Sequence, residues 1–216
     1  MTKLQRTAIV TGASSGIGQA IATSLAEQGH RVWGICRRGE NLPACVEPVL
    51  IDLNDTGTRW EWHHLDSLDV LVHAAGVMNS DLDEVYRVHV RAPLTLTRQL
   101  LPALRKAEGQ VVFLNSSLGR RLDHADPVEY AAAKHALRAI ADGMRASLNP
   151  AGIRVVSLYL GRTATPMQEQ IHQKENRSYH PERLIQPTDV AKLLTGLLTL
   201  PKTAEVTDVW MRPMLK

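Results

Sequence analysis

Tyr130 and Lys134 stand four residues apart in the Ala-rich stretch Y-A-A-A-K. In a helix this spacing brings both side chains out on one face, about one turn apart. A free phenol, with a pKa of about 10, is a poor base at neutral pH. A neighbouring ammonium favours the phenolate and brings the hydroxyl into range as an acid or base. Ser117, just past the apolar run Val111 to Leu114, can offer a hydroxyl to a substrate oxygen beside Tyr130. Taken alone, a Tyr and a Lys at this spacing are more often two surface residues of a helix. They gain meaning from a second cluster, the turn T-G-A-S-S-G-I-G at Thr11 to Gly18.

In that turn Gly12 permits a tight bend, while Gly16 and Gly18 allow backbone and helix to come close to a ligand. The helix that follows, opening at Ile17, aims unpaired N–H groups and its positive end at a pyrophosphate, and Ser14 and Ser15 can add hydroxyl contacts to the cofactor. A glycine triplet by itself often marks only a turn, but here strand, turn and helix come in the order a dinucleotide site needs. The end of the next strand chooses between the two nicotinamide cofactors, because an acid there binds the ribose diol and repels a 2′-phosphate. The sequence has Cys36 followed by Arg37 and Arg38, and a guanidinium takes a phosphate bidentately. The expected cofactor is therefore NADP(H), although two adjacent arginines can equally be a solvated surface pair. Asp52, followed by Leu53, can accept from an adenine amino group or cap its own turn, and the sequence leaves both open.

The elements that must position these groups follow from the apolar pattern. Thr7 to Val10, Val32 to Cys36, Val49 to Ile51, Val70 to Val72, Val111 to Leu114, Val155 to Tyr159 and Val206 to Met211 read as seven strands. Helical spacing follows the glycine turn (Ile17, Ile21, Leu25, with Gly29 as the stop). It recurs at Leu82 to Leu101, where Pro93 is expected to kink or interrupt it, at Val128 to Leu148, and at Asp189 to Leu200. A short helix is expected at Thr58 to Leu65, carrying Trp60 and Trp62, and a polar loop or lid at Met167 to Gln186. Alternating strands and helices imply an α/β fold: one doubly wound parallel sheet of about seven strands, helices on both faces, in a single domain over residues 1–216. Ligands of such sheets bind beyond the carboxyl ends of the strands, where the candidate residues fall.

Composition agrees. Hydrophobic residues are 44% of the 216, enough for a sizeable core, and the single Phe leaves it to Val, Ile, Leu and Ala. The net charge of +3 is spread out rather than gathered in a stripe, which argues against nucleic acid. No apolar run reaches membrane-spanning length and no secretory signal opens the chain, so a cytoplasmic protein is expected. Cys36 and Cys45 make no disulfide framework, and His63, His64, His73 and His89 do not sit in a metal-ligand motif.

Together T-G-A-S-S-G-I-G, N-S-S at 115–117 and Y-A-A-A-K at 130–134 resemble the marks of the short-chain dehydrogenase/reductase family, whose fold is of the Rossmann type. G-R-T-A-T-P-M at 161–167 is similar to that family's segment after the sixth strand, and the likeness spans nearly the whole chain. The resemblance implies Tyr130 as acid/base, with Lys134 holding the nicotinamide ribose and tuning Tyr130. It implies Ser117, chosen over Ser116 by the family's Ser-to-Tyr offset, as the carbonyl-polarising hydroxyl. Gly161, Thr163 and Thr165 are implied at the nicotinamide, and Ala74, Ala75 and Gly76 along the cofactor. The family's N-N-A-G is here His73-Ala74-Ala75-Gly76, its helix asparagine is replaced by His89, and its proline before Gly161 is Leu160. An imidazole can hold a water and carry protons, so His89 either keeps the relay or breaks it. The reaction implied is hydride exchange with a small carbonyl/alcohol substrate. The alternative is a non-catalytic NADP-binding sensor or scaffold, and a homodimer or homotetramer is implied in either case.

Overall fold

The computed structural model describes residues 5–55, 62, 65–121 and 127–215. Trp60, His63, His64 and most of the helix expected at Thr58 to Leu65 lie outside those residues. Seven strands form one fully parallel sheet in the order β3-β2-β1-β4-β5-β6-β7. They are β1 Thr7–Thr11, β2 Arg31–Cys36, β3 Glu47–Leu50, β4 Val70–His73, β5 Gln110–Ser116, β6 Arg154–Leu160 and β7 Asp208–Met211. The expected doubly wound sheet is present, and its order reverses between β1 and β4, where a crevice opens at the carboxyl ends.

Strand alternation sorts the core onto two faces. Ala8, Val10, Val72, Val112 and Leu114 pack under helices α1 (Gly16–Glu27) and α6 (Pro187–Leu198). Ile9, Leu71, Val111 and Phe113 pack under α3 (Ala92–Ala107) and α4 (Val128–Leu148). Helix α1 ends as expected: Gly29, at φ +85°, and His30 donate their amides back to Ala26 and Leu25.

Two helical regions depart from expectation. Pro93 does not interrupt its helix. A short α2 (Leu82–Tyr86) passes into one π turn, Arg87–Arg91, and then into α3, which runs on to Ala107 with Pro102 inside it. The wide turn ends just ahead of Pro93, whose missing N–H would otherwise break the ladder. The segment expected as a loop at Met167 to Gln186 contains helix α5, Pro166–Lys174. Thr165 caps it by accepting the Gln168 amide at 3.2 Å, and Pro166 occupies its first turn. Its buried residues are Gln168 and His172, so no apolar period announces it.

Candidate active site

Strand ends, the glycine turn and α4 enclose a cleft of about 790 Å³. Its floor is the turn between β1 and α1. Gly12 sits at φ +68°, and a Cβ there would come 2.8 Å from Ala75 Cα. A Cβ on Gly18 would come 2.3 Å from the Gly12 carbonyl oxygen, so helix α1 approaches the strand only because residue 18 has no side chain. Thr11 ties this floor to the next strand end: its Oγ1 accepts the amides of both Ala74 and Ala75 at 3.0 Å. Ser15 is the N-cap residue of α1 but forms no side-chain cap, which leaves the first amides facing the cleft. Ser14, Ser15, Gly16 and Ile17 line the cleft, and a Cβ on Gly16 would come 3.1 Å from the Thr165 methyl.

At one end the cleft is lined by Cys36, Arg37, Asp52 and Leu53. Arg38 is exposed and does not line it, so only one of the expected arginine pair is brought to the site. The Asp52 side chain accepts the Asn54 amide at 2.9 Å, capping its own turn while still bordering the cleft. At the other end stand Ser116, Ser117, Tyr130, Lys134, Gly161, Thr163 and Thr165. Gly76 lies between, against His89: a Cβ there would be 2.7 Å from the imidazole Cε1.

The serine that contacts Tyr130 is Ser116, not the Ser117 selected by counting. Strand β5 extends through Ser116, whose Oγ accepts the Leu118 amide at 3.2 Å and caps the tight turn Ser117–Gly119. The stretch from this serine to Tyr130 is therefore one residue longer than the offset counted from Ser117. Asn115 braces the same corner, donating to the Lys134 carbonyl at 3.2 Å and accepting the Ser116 amide at 2.8 Å. Gly119 makes room for it, since a Cβ would stand 2.5 Å from Asn115 Oδ1. Thr11, Asn115 and Ser116 were not among the expected site residues. The signal for all three was their position at a strand's carboxyl end.

Tyr130 and Lys134 do share one face of α4, but burial rather than mutual charge sets their protonation. Burial pushes the Tyr130 phenol up to about 12, against a hydrogen bond from Ser116 that favours the phenolate. Burial also brings the Lys134 ammonium down to about 7. Its Nζ lies 5.5 Å from the Tyr130 ring centre and donates to the Leu114 carbonyl at 2.8 Å. In the free chain the phenol is thus held protonated, ready to give a proton to an oxygen placed beside Ser116.

His89 lies edge-on to Tyr130, ring centres 5.2 Å apart. Its Nε2 is 2.8 Å from the Val77 carbonyl oxygen and 3.1 Å from the Val77 amide nitrogen, and one ring nitrogen satisfies only one of them. Burial first, then the nearby Lys134 charge, lowers its pKa to about 3, against the Val77 bond. A ring so neutral and so occupied braces the Gly76–Val77 backbone. His73 is buried too, stacked on Phe113 at 5.0 Å, and burial takes it to about 3. Because Thr97 Oγ1 donates to the Pro93 carbonyl, it is His73 Nε2–H that donates to Thr97, at 2.8 Å.

These two histidines predict acid sensitivity. Below about pH 6.5 an unfolded chain takes up protons that both buried rings refuse, so stability falls as pH drops toward 3. Each contributes up to about 1.4 kcal/mol per pH unit in that window. Urea titrations between pH 7 and 4 should give a shallower loss for the His73→Asn/His89→Asn pair than for the parent. An equally steep loss would assign the sensitivity to other groups.

No cluster of three or more His, Cys, Asp or Glu among the described residues can hold a metal ion. Among them no helix is long and apolar enough to cross a membrane. A parallel sheet with a glycine-floored crevice at its reversal, and a Ser-Tyr-Lys group at the far end of that crevice, defines a nucleotide-binding oxidoreductase of the Rossmann kind. Comparison with known proteins gives the family. The short chain dehydrogenase model matches residues 6–58 and 53–176, and the chain belongs to the short-chain dehydrogenase/reductase family. An uncharacterized short-chain type dehydrogenase/reductase of Sinorhizobium fredii is 32% identical over 95% of this chain and 90% of its own. A metagenomic short-chain oxidoreductase solved in complex with NADP is 27% identical, with a TM-score of 0.78 over 97% of this chain and 98% of that one. An alcohol dehydrogenase from Thermococcus sibiricus, complexed with 5-hydroxy-NADP, shares the fold at a TM-score of 0.82 over 98% and 97% of the two chains, at 21% identity.

Proposed function

We propose that this chain is an NADP(H)-dependent reductase of small ketones or aldehydes, or the dehydrogenase of the corresponding alcohols. The observation that carries this reading is the meeting of Ser116, Tyr130 and Lys134 at one end of a cleft whose other end holds Arg37, beside an Asp52 that takes the Asn54 amide on one oxygen. A nicotinamide held in the cleft would supply the hydride for the carbonyl carbon. Tyr130 gives its proton to the carbonyl oxygen, and Ser116 positions that oxygen by a hydrogen bond. Lys134, now donating to the Leu114 carbonyl, would hold the nicotinamide ribose. Thr165 meets the carboxamide, and Arg37 takes the 2′-phosphate. A relative solved with NADP supports that choice of cofactor.

The purified protein should consume NADPH in the presence of some member of a panel of aldehydes and ketones, followed at 340 nm. NADPH binding without turnover on that panel, or on alcohols with NADP, would instead favour the sensor or scaffold reading. His89 is expected to act as a brace. An Asn there can accept from the Val77 amide and donate to the Val77 carbonyl at once, so His89→Asn should keep kcat within about threefold of the parent. A large gain in rate would mean that the imidazole obstructs a proton path.

A further inference from the structure

We propose that Arg162 and Glu175 form a clasp that holds helix α5 as a lid over the reactive end of the cleft, which makes Arg162 a positioning residue. Its role in turnover rests on the oxidoreductase reading above; the clasp itself does not.

Helix α5 has little else to hold it. Nine residues is too short to persist alone in water. Its two buried side chains, Gln168 and His172, are polar, and it makes little contact with any other helix or strand. Yet it lines the cleft with Met167, Gln168 and Ile171, and its capping residue, Thr165, faces Gly16 closely enough that a Cβ there would stand 3.1 Å from its methyl. Its N-terminal end is fixed by that cap. Its C-terminal end is fixed by charge.

Arg162 directs one guanidinium nitrogen to both Glu175 carboxylate oxygens, at 3.1 Å each, across the open side of the helix. The backbone of Arg162 is firmly seated. Its carbonyl accepts the Ile185 amide at 3.2 Å, and Ala164 donates to the Ile185 carbonyl at 2.8 Å. A second nitrogen of Arg162 stands 3.5 Å from His172 Nε2, and His172 Nδ1–H donates to the Gln168 carbonyl at 2.8 Å. The chain then turns back through Asn176, at φ +50°, so that the Arg177 amide reaches the His172 carbonyl at 2.9 Å. Arg177 adds a second guanidinium to Glu175 at 3.3 Å. Burial raises the Glu175 pKa, but the two guanidinia together bring it below its ordinary value. A rigid strand end is thus tied by charge to a helix with almost no apolar anchor. Lids drawn from such weakly held segments commonly gate turnover.

Hydrogen exchange of the free protein, with neither cofactor nor substrate, tests the clasp apart from any activity. Arg162→Met keeps the aliphatic stem and removes the charge, and Glu175→Gln removes the other partner. Each should speed exchange of the α5 amides about fivefold, as expected for a half-exposed pair, and leave α4 and the central strands unchanged. About 0.5 M salt should speed α5 exchange in the parent, but not further in either variant. The swapped pair Arg162→Glu/Glu175→Arg should restore protection in part, which loss of packing would not allow. For catalysis, Arg162→Met should raise KM for the carbonyl severalfold with kcat little changed or increased. Unchanged α5 exchange in both single variants, or exchange insensitive to salt in the parent, overturns the clasp. Failure of the parent to turn over any substrate while the exchange results hold overturns the reductase reading and leaves the clasp standing.

Discussion

Tyr130→Phe should lower kcat/KM for carbonyl reduction by about a thousandfold while NADPH binds within about twofold of the parent. The magnitude is that of a lost general acid, for which factors of about 10² to 10⁴ are usual. Phenylalanine keeps the ring, so its edge contact with His89 and its place on α4 survive. Only the hydroxyl is removed, together with its bond to Ser116. The direction of the pKa shift matters here. A phenol pushed up to about 12 is fully protonated at neutral pH, which suits reduction, where the proton leaves for a developing alkoxide. The same shift predicts that alcohol oxidation, which needs the phenolate, gains rate as pH rises above neutral while reduction does not. Stopped-flow at 340 nm with saturating NADPH separates binding from chemistry. If Tyr130→Phe keeps its turnover, the proton comes from elsewhere and the assignment of the acid is wrong. Ser116→Ala should follow the same pattern more mildly, and Ser117→Ala should be close to silent.

That contrast between neighbouring serines shows where the sequence was legible. Helix α4 was legible to its bounds, because Ala-rich helical spacing runs unbroken from Val128 to Leu148 and places Tyr130 and Lys134 a turn apart. The sheet was legible because each strand is an apolar run between turns. Ser116 was not, because an offset in sequence says nothing about how far β5 continues or how short the following turn is. Helix α5 was hidden by chemistry of another kind: its inward face is Gln168 and His172, and hydrogen bonds rather than apolar burial place it. The π turn at Arg87–Arg91 was equally silent, since Pro93 predicts a break but not the wider turn that absorbs it. The balance of charge between Tyr130 and Lys134 depends on the depth at which both are buried, a quantity that spacing alone does not carry.

Cofactor choice turns on the same distinction between residue type and placement. Arg37→Ala should weaken NADPH binding between about tenfold and a hundredfold and leave NADH binding within about twofold. A hydrogen bond to a charged group contributes about 1.5–3 kcal/mol, and each 1.4 kcal/mol is a factor of ten. Arg37 lines the cleft at the end of β2 and makes no ion pair with a described residue, so its guanidinium is available to a phosphate. No carboxylate competes for the ribose from that strand end, and Asp52 spends one oxygen on the Asn54 amide. Arg38 supplies the control. It carries the same charge one residue on but lies outside the cleft, so Arg38→Ala should cost no more than a long-range, salt-screened loss of about twofold. Because Arg37 is exposed, the preference for NADPH over NADH should also narrow as ionic strength rises, and should do so less in Arg37→Ala than in the parent. Calorimetric titration of both cofactors against the three proteins measures all of this. Equal weakening of NADPH and NADH by Arg37→Ala would mean that the residue shapes the adenosine site generally, and a larger loss from Arg38→Ala would mean that the β2 end turns the other way when a dinucleotide is bound.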